Sequence, residues 1–152
     1  MWVEALTTLG REVKVYDQKP IISPPAGSIV TDAGGDCAAD FLFVLVPISE
    51  MEHACREITP HLAPHTVVLD ACSVKVHPVS VMRRFLPSEQ QVVATHPLFG
   101  PDSASKLGFK GQKIVVCPLR VGEREATILE KLFHSMGLEI IYTTPEDHDR
   151  QM

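Results

Sequence analysis

A histidine and a serine in this sequence each follow a run of β-branched residues that predicts a buried strand. His96 comes directly after QVVAT, and Ser73 comes directly after TVVLDAC. Because ligands of open α/β sheets bind beyond the carboxyl ends of the strands, we expect both side chains at one edge of a sheet. A neutral imidazole can accept a proton at cellular pH, and a nearby hydroxyl could orient it. The alternative is that His96 is a structural histidine in a turn before Pro97.

Three further residues could take part in binding, and each also has an ordinary structural interpretation. Asp17 ends a predicted strand, where dinucleotide-binding folds place an acid for the ribose hydroxyls, but it could equally be a turn residue. Lys75 is interpreted as a solvated lysine at the start of a helix, with a role in the site as the alternative. His148, in PEDHD, could belong to the site or simply end an acidic helix segment.

Composition and motifs argue against several other classes of protein. The chain has 14 Lys and Arg against 19 Asp and Glu, and it has no basic block that would indicate nucleic acid or an anionic membrane as a partner. Its longest apolar run, residues 41–48, is far shorter than the roughly 20 residues that span a bilayer. The N-terminus has no signal-peptide pattern, so we expect a cytoplasmic protein. Neither a G-x-S-x-G nor a Walker motif is present.

The cysteines and the paired histidines do not predict a metal site. Four cysteines without C-x-x-C spacing are expected to be free thiols rather than disulfides or zinc ligands: Cys37, Cys55, Cys72 and Cys117. His61 and His65 have the spacing of a metal pair on a helix, but the prolines at 60 and 64 interrupt any such helix. We therefore expect no metal.

Strands alternate with helices along the chain, which predicts a doubly wound α/β sheet in a single domain. The run FLFVLV is apolar at every position, as in a strand that is covered on both faces. Residues 20–35, rich in proline and glycine, are expected to form an irregular connection. The predicted strands are 13–16, 41–46, 66–69, 92–95, 114–117 and 138–142, and the predicted helices are 2–9, 49–58, 79–85 and 123–136.

Both ends of the chain lead us to expect a partial domain. The glycine fingerprint of a dinucleotide-binding fold lies about 20 residues before the ribose-binding acid, which from Asp17 falls before Met1. No G-x-G-x-x-G occurs in the sequence. At the other end, Thr144 and Pro145 begin a helix only a few residues before Met152. We expect residues 1–152 to be one dinucleotide-binding domain, incomplete at its N-terminus.

Four segments in order resemble the nucleotide-binding domain of the prephenate and arogenate dehydrogenase family of tyrosine biosynthesis. They are DFLFVLVPIS, VVLDACSVK, THPLFGPD and TTPEDHD, and the similarity runs from about residue 9 to residue 152. The resemblance implies a Rossmann-like, mostly parallel sheet and oxidative decarboxylation of prephenate or arogenate with NAD, with NADP as the alternative. It also implies a helical C-terminal domain after residue 152 that forms a homodimer, so we expect this chain to have little or no activity alone.

The resemblance implies roles for residues near the substrate. His96 would accept the proton of the substrate hydroxyl while hydride goes to the nicotinamide. Ser73 would bridge this histidine, the substrate and the cofactor. Asp102, at a position where many relatives have glutamate, would lie close to the substrate. His148 and Asp149 would lie at the edge of the site.

The resemblance also implies residues for the cofactor. Asp17 would bind the ribose hydroxyls and favour NAD, while Gln18 and Lys19 beside it leave NADP possible. The backbone near Val46 and Pro47 would line the cofactor path.

Two alternatives remain at this point. One is another dehydrogenase, of the β-hydroxyacid type, although such families generally use a lysine on a later helix as the acid or base. The order of S-V-K and then H-P-L-F-G-P argues against it. The other is a non-catalytic module that binds NAD or a protein, which the missing ends would favour.

Overall fold

Helices and strands alternate along the chain in a computed structural model that describes residues 1–32 and 39–152. The helices are α1 (Trp2–Thr8), α2 (Met51–Ile58), α3 (Val76–Phe85), α4 (Pro101–Leu107), α5 (Glu123–Ser135) and α6 (Pro145–Gln151). The strands are β1 (Val13–Val15), β2 (Ser28–Val30), β3 (Phe41–Val44), β4 (Val67–Asp70), β5 (Gln91–Pro97), β6 (Lys113–Arg120) and β7 (Glu139–Tyr142). Short 3₁₀ turns occupy Ile48–Glu50 and Thr59–His61.

The central sheet has five strands in the order β3-β4-β5-β6-β7. All neighbouring pairs are parallel except β5 and β6, which are antiparallel. β1 and β2 form a separate parallel pair. The prediction of an α/β fold with a mostly parallel sheet is confirmed.

Two apolar cores cover the two faces of the sheet, as the side-chain period of two along each strand requires. In β4, Val68 contacts the core that includes residues of α2 and α3, whereas Val67 and Leu69 contact the core that includes residues of α1 and α5. All three side chains are fully buried. Each such burial stabilises the fold by about 1.5–3 kcal/mol.

β3 is covered on both faces, as its apolar run predicts, but the strand is shorter and less buried than expected. It ends at Val44 rather than at residue 46, and only Val44 of its four residues is buried. Leu42 and Val44 contact one core, while Phe41 and Phe43 contact the other. β3 is only partly buried because it lies at the edge of the five-stranded sheet.

Two segments expected to lack regular structure contain it. Residues 20–35 were expected to be an irregular connection, but Ser28–Val30 forms β2 through parallel pairing with β1. Residues 101–107, for which no helix was predicted, form α4 with Pro101 at its first position. β2 depends on its pairing with β1, which the local sequence does not show. Cys37 lies outside the described residues.

The end of β5 and the start of α3 lie closer to His96 and Ser73 than predicted. β5 continues to Pro97, so His96 lies inside a strand rather than after one. α3 begins at Val76, three residues earlier than the periodicity predicts, and has Pro78 in its first turn. A proline in the first turn of a helix lacks only an N–H group that has no partner within the helix. None of the helices among residues 1–32 and 39–152 has the length and hydropathy to cross a membrane.

Candidate active site

The carboxyl ends of β4 and β5 form the centre of the site. These strands are parallel neighbours, with Asp70 opposite Ala94, so the residues that follow both lie at one edge of the sheet. Ser73 is exposed in the loop between β4 and α3, and His96 is buried, two residues beyond Ala94. No hydrogen bond joins Ser73 to His96 among the described residues. The structure thus places the two residues at the same edge, with the serine open to a ligand.

Helix α6 brings a second histidine against His96. The rings meet at Nδ1 of His96 and Nε2 of His148, 2.9 Å apart, and both rings are buried. Thr144 positions this helix, because its Oγ1 accepts a hydrogen bond of 3.1 Å from the backbone N–H of Asp147. The alternative that His148 simply ends an acidic segment is wrong, because the side chain points into the site.

Asp149 joins this histidine pair to the start of α3. Its Oδ1 lies 2.7 Å from Nδ1 of His148, and its two oxygens accept backbone N–H groups of Lys75 at 2.6 Å and Val76 at 2.8 Å. Burial opposes ionisation of Asp149, but the hydrogen bonds from His148 and from the two amides outweigh it and lower the pKa of the carboxyl. Asp149 is therefore an ionised acceptor at neutral pH.

Lys75 is fully buried, so the interpretation as a solvated lysine is wrong. Its Nζ donates to Oδ2 of Asp70, which is also fully buried, and to the backbone carbonyl of Thr95. Asp70 further accepts the backbone N–H groups of Cys72 at 2.9 Å and Thr95 at 3.1 Å. This saturated ion pair lies between the ends of β4 and β5 and fixes the backbone directly before His96.

The surroundings of His96 favour its neutral form. Burial is the main cause that lowers its pKa, followed by the nearby His148 and the ammonium of Lys75. The carboxylates of Asp70 and Asp149 act in the opposite direction and are outweighed. An imidazole that is neutral at and below neutral pH can serve as a proton acceptor.

Buried thiols near this site are not nucleophiles. Cys55, Cys72 and Cys117 are free and buried, and burial raises the pKa of each thiol to about 11. At neutral pH they are protonated, and the thiol form is unreactive. Among residues 1–32 and 39–152, no group of three or more His, Cys, Asp or Glu side chains is arranged to hold a metal ion.

The residues expected to contact the cofactor lie at the ends of β1 and β3. Asp17 is exposed, and its Oδ1 accepts the backbone N–H of Lys19 at 2.8 Å. The hydroxyl of Tyr16 donates to Oε1 of Glu57 on α2 at 2.6 Å, which connects the β1–β2 pair to the helix that follows β3. Half-buried Val46 and exposed Pro47 come directly after β3. The side chains of Gln18 and Lys19 are exposed beside Asp17.

Asp102 lies in the first turn of α4, where its side chain is exposed. It lines a cleft of about 640 Å³ together with Glu4 and Thr8 of α1 and Lys110, and Ser73, His96 and His148 are not part of that lining. A position of Asp102 close to the substrate stays a prediction.

Comparison with known proteins decides the family. The profile of the family described as "Prephenate dehydrogenase, nucleotide-binding domain" matches residues 12–142. The chain belongs to this family. Two curated relatives are a probable arogenate/prephenate dehydrogenase of Methanocaldococcus jannaschii and arogenate dehydrogenase 2 of Arabidopsis thaliana, a chloroplastic protein. The first is 28% identical over 74% of the chain and 25% of its own length, and the second is 32% identical over 72% and 32%.

Solved structures of this dehydrogenase family share the fold. The prephenate dehydrogenase of Aquifex aeolicus superimposes with a TM-score of 0.78 at 19% identity, covering 97% of this chain and 58% of that one. A second structure of the Aquifex enzyme is a complex with hydroxyphenyl propionate and NAD+, with a TM-score of 0.73 at the same identity and 57% of that chain covered. The present chain spans between 18% and 34% of the length of the curated relatives it matches.

Sequence reasoning missed the structural role of two charged residues of this domain. Lys75 was expected in solvent, and Asp70 was not singled out at all. One signal was available, because Asp70 ends an apolar strand, where an ionised side chain needs a partner. Lys75, five residues later, is the cation that could supply it. The hydrogen bonds of Asp149 to the start of α3 had no local signal, since 74 residues separate it from Lys75.

Proposed function

We propose that this protein catalyses the NAD(P)-dependent oxidative decarboxylation of prephenate or arogenate, giving 4-hydroxyphenylpyruvate or tyrosine. The observation that carries the proposal is His96, a buried imidazole at the carboxyl edge of the sheet whose pKa is lowered by burial and by its neighbours. Membership of the prephenate dehydrogenase nucleotide-binding domain family supports it, as do the names of the relatives.

The described residues fit one end of a dinucleotide. The exposed carboxylate of Asp17 at the end of β1 is available to ribose hydroxyls, because the internal amide contact of Lys19 engages only its Oδ1. Val46 and Pro47 at the end of β3 would line the path toward His96. When bound, NAD supplies a hydride acceptor. We favour NAD over NADP because Asp17 would repel a 2′-phosphate, although Lys19 beside it leaves NADP use open.

The chain's own residues then have distinct tasks. His96 accepts the proton of the substrate hydroxyl as the carbon that bears it is oxidised. Ser73, exposed at the same edge, donates or accepts a hydrogen bond that orients substrate and imidazole. The ring carboxylate leaves as carbon dioxide, and its bonding electrons complete the aromatic ring.

The rest of the substrate site is proposed to come from residues other than those of this chain. The chain matches only a part of each relative's length, and the cleft that Asp102 lines does not include His96. From the family resemblance we propose that Asp102 lies close to the substrate, and we expect little turnover from residues 1–152 alone. The family resemblance extends the proposal to a homodimer in the cytoplasm.

The test is turnover by the protein as its gene encodes it. The protein is incubated with NAD or NADP and with prephenate or arogenate, and the absorbance of the reduced cofactor is followed. His96→Asn should lower kcat by about 10²- to 10⁴-fold, because it removes the general base. His134→Asn, an exposed histidine on α5, is the matched control and should leave kcat unchanged.

The non-catalytic alternative makes the opposite prediction. If the unsubstituted protein binds NAD but reduces it with neither substrate, the chain is a binding module and the proposal is wrong. If both substrates are turned over and His96→Asn is as active as His134→Asn, the activity stands but His96 is not its base.

A further inference from the structure

We propose that His148 and Asp149 are positioning residues that fix the tautomer of His96, so that its Nε2 carries the lone pair that accepts the substrate proton. The inference rests on the proposed function for its consequence in catalysis, but not for the tautomer itself. It follows from the hydrogen bonds that join Asp149 to His148 and His148 to His96, and from the groups that each of the three side chains can donate or accept.

The first step concerns Asp149. An ionised carboxylate can only accept hydrogen bonds, and this one already accepts the amides of Lys75 and Val76. Nδ1 of His148, 2.7 Å from Oδ1 of Asp149, must therefore carry a hydrogen. The carboxylate is held in place at the start of α3, so it fixes the hydrogen of the His148 ring on Nδ1.

The second step concerns the hydrogen bond between His148 and His96. A neutral His148 with its hydrogen on Nδ1 has a lone pair on Nε2, which then accepts from Nδ1 of His96 at 2.9 Å. His96 consequently carries its hydrogen on Nδ1. The other ring nitrogen, Nε2, is left with a lone pair for the substrate hydroxyl.

Ring nitrogen NMR on the 152-residue chain tests the tautomer without any need for activity. In long-range ¹H–¹⁵N spectra at neutral pH, His96 should show a protonated Nδ1 and an unprotonated Nε2. Asp149→Asn should populate the opposite tautomer, because an amide can donate to Nδ1 of His148. Asp147→Asn, two residues away on the same helix, is the matched control and should leave the pattern unchanged.

A spectrum in which His96 is protonated on Nε2 would overturn the inference. So would an Asp149→Asn spectrum identical to that of Asp147→Asn. Circular dichroism verifies that each variant is folded, and His148→Gln provides a second route should Asp149→Asn unfold the start of α3. Glutamine offers a carbonyl oxygen to Nδ1 of His96, so the Nδ1-protonated form should persist in His148→Gln and be lost in His148→Leu.

Kinetics of the protein as its gene encodes it test the consequence. Asp149→Asn should lower kcat by about 10²- to 10⁴-fold, as loss of an orienting carboxylate does when it releases the wrong tautomer. His148→Gln should keep more activity than His148→Leu, because only glutamine offers an oxygen that accepts the hydrogen bond from Nδ1 of His96. Equal activities of the two His148 variants would refute the positioning role. If the unsubstituted enzyme turns over neither substrate, the proposed function fails, while the NMR result still decides the tautomer.

Discussion

At the scale of single residues, the site depends on a buried ion pair next to the neutral imidazole of His96. Lys75 and Asp70 are both fully buried, and every charged atom of the pair that the structure describes has a hydrogen-bond partner. A buried ion pair of this kind adds little net stability compared with apolar residues, but removing one partner leaves an uncompensated charge. We infer that its main effect is to hold the ends of β4 and β5, and hence Ser73 and His96, in register.

Lys75→Met should therefore destabilise the protein strongly. The methionine fills much of the volume, but Asp70 is left buried without its cation, so the free energy of unfolding should fall by about 3–5 kcal/mol. Urea unfolding followed by circular dichroism measures the change. The double variant Lys75→Met/Asp70→Asn should be less destabilised than the sum of the single changes. A loss below about 1 kcal/mol for Lys75→Met would mean that the pair is solvated in solution.

At the scale of elements, helix ends hold the site and the sheet together across long separations in the sequence. Asp149 of α6 satisfies the first N–H groups of α3, and Thr144 satisfies one of α6 itself. The end of α5 has a different constraint, because Gly137 has a φ of +83° and its backbone runs close to Lys110. Only glycine adopts that conformation without strain.

Gly137→Ala should cost more stability than the same change at Gly10. Both glycines have positive φ, so alanine at either position costs about 1–2 kcal/mol in backbone strain. At Gly137 the added Cβ would also lie 3.0 Å from Cα of Lys110, whereas nothing lies within 4 Å at Gly10. Urea unfolding of the two variants should show the larger loss for Gly137→Ala. Equal losses would show that the α5–β7 connection moves away from Lys110 at no cost.

At the scale of the whole molecule, α1 is attached to the sheet mainly by its tryptophan. Trp2, the only tryptophan of the chain, is buried, and its ring centroid lies 5.6–6.4 Å from those of four phenylalanines. These are Phe43, Phe99, Phe109 and Phe133, which come from β3, from the segment between β5 and α4, from the segment after α4 and from α5. One side chain thus connects the first helix to distant parts of the chain.

Trp2→Ala should destabilise the whole fold rather than α1 alone. Truncating a buried tryptophan costs about 3–5 kcal/mol, because it removes apolar contact and leaves a cavity. Trp2→Phe keeps an aromatic ring in the cluster and should retain much of that stability. Urea unfolding followed by circular dichroism compares the two. If Trp2→Ala leaves the transition midpoint unchanged, α1 does not belong to the cooperative unit.

Local pattern in the sequence was enough for the fold class and for the common sheet edge of Ser73 and His96. Apolar runs, and the glycines and prolines that interrupt them, predict most of the strands and helices, because secondary structure follows the short-range periodicity of apolar residues. The positions of Ser73 and His96 after β-branched runs predict a common edge, because parallel strands end at the same side of a sheet. Segments such as THPLFGPD are similar to one family, and the family match confirms that resemblance.

Only the tertiary structure decided which side chains meet. The antiparallel pairing of β5 with β6, the strand β2 and the burial of Lys75 depend on neighbours that are distant in sequence. His148 reaches His96 across 52 residues, and Asp149 reaches Lys75 across 74. Hydrogen-bond partners and burial are set by chain packing, which a one-dimensional pattern does not encode. The sequence therefore contains the histidine that we propose as the base, and the fold supplies the two residues that we propose to determine its tautomer.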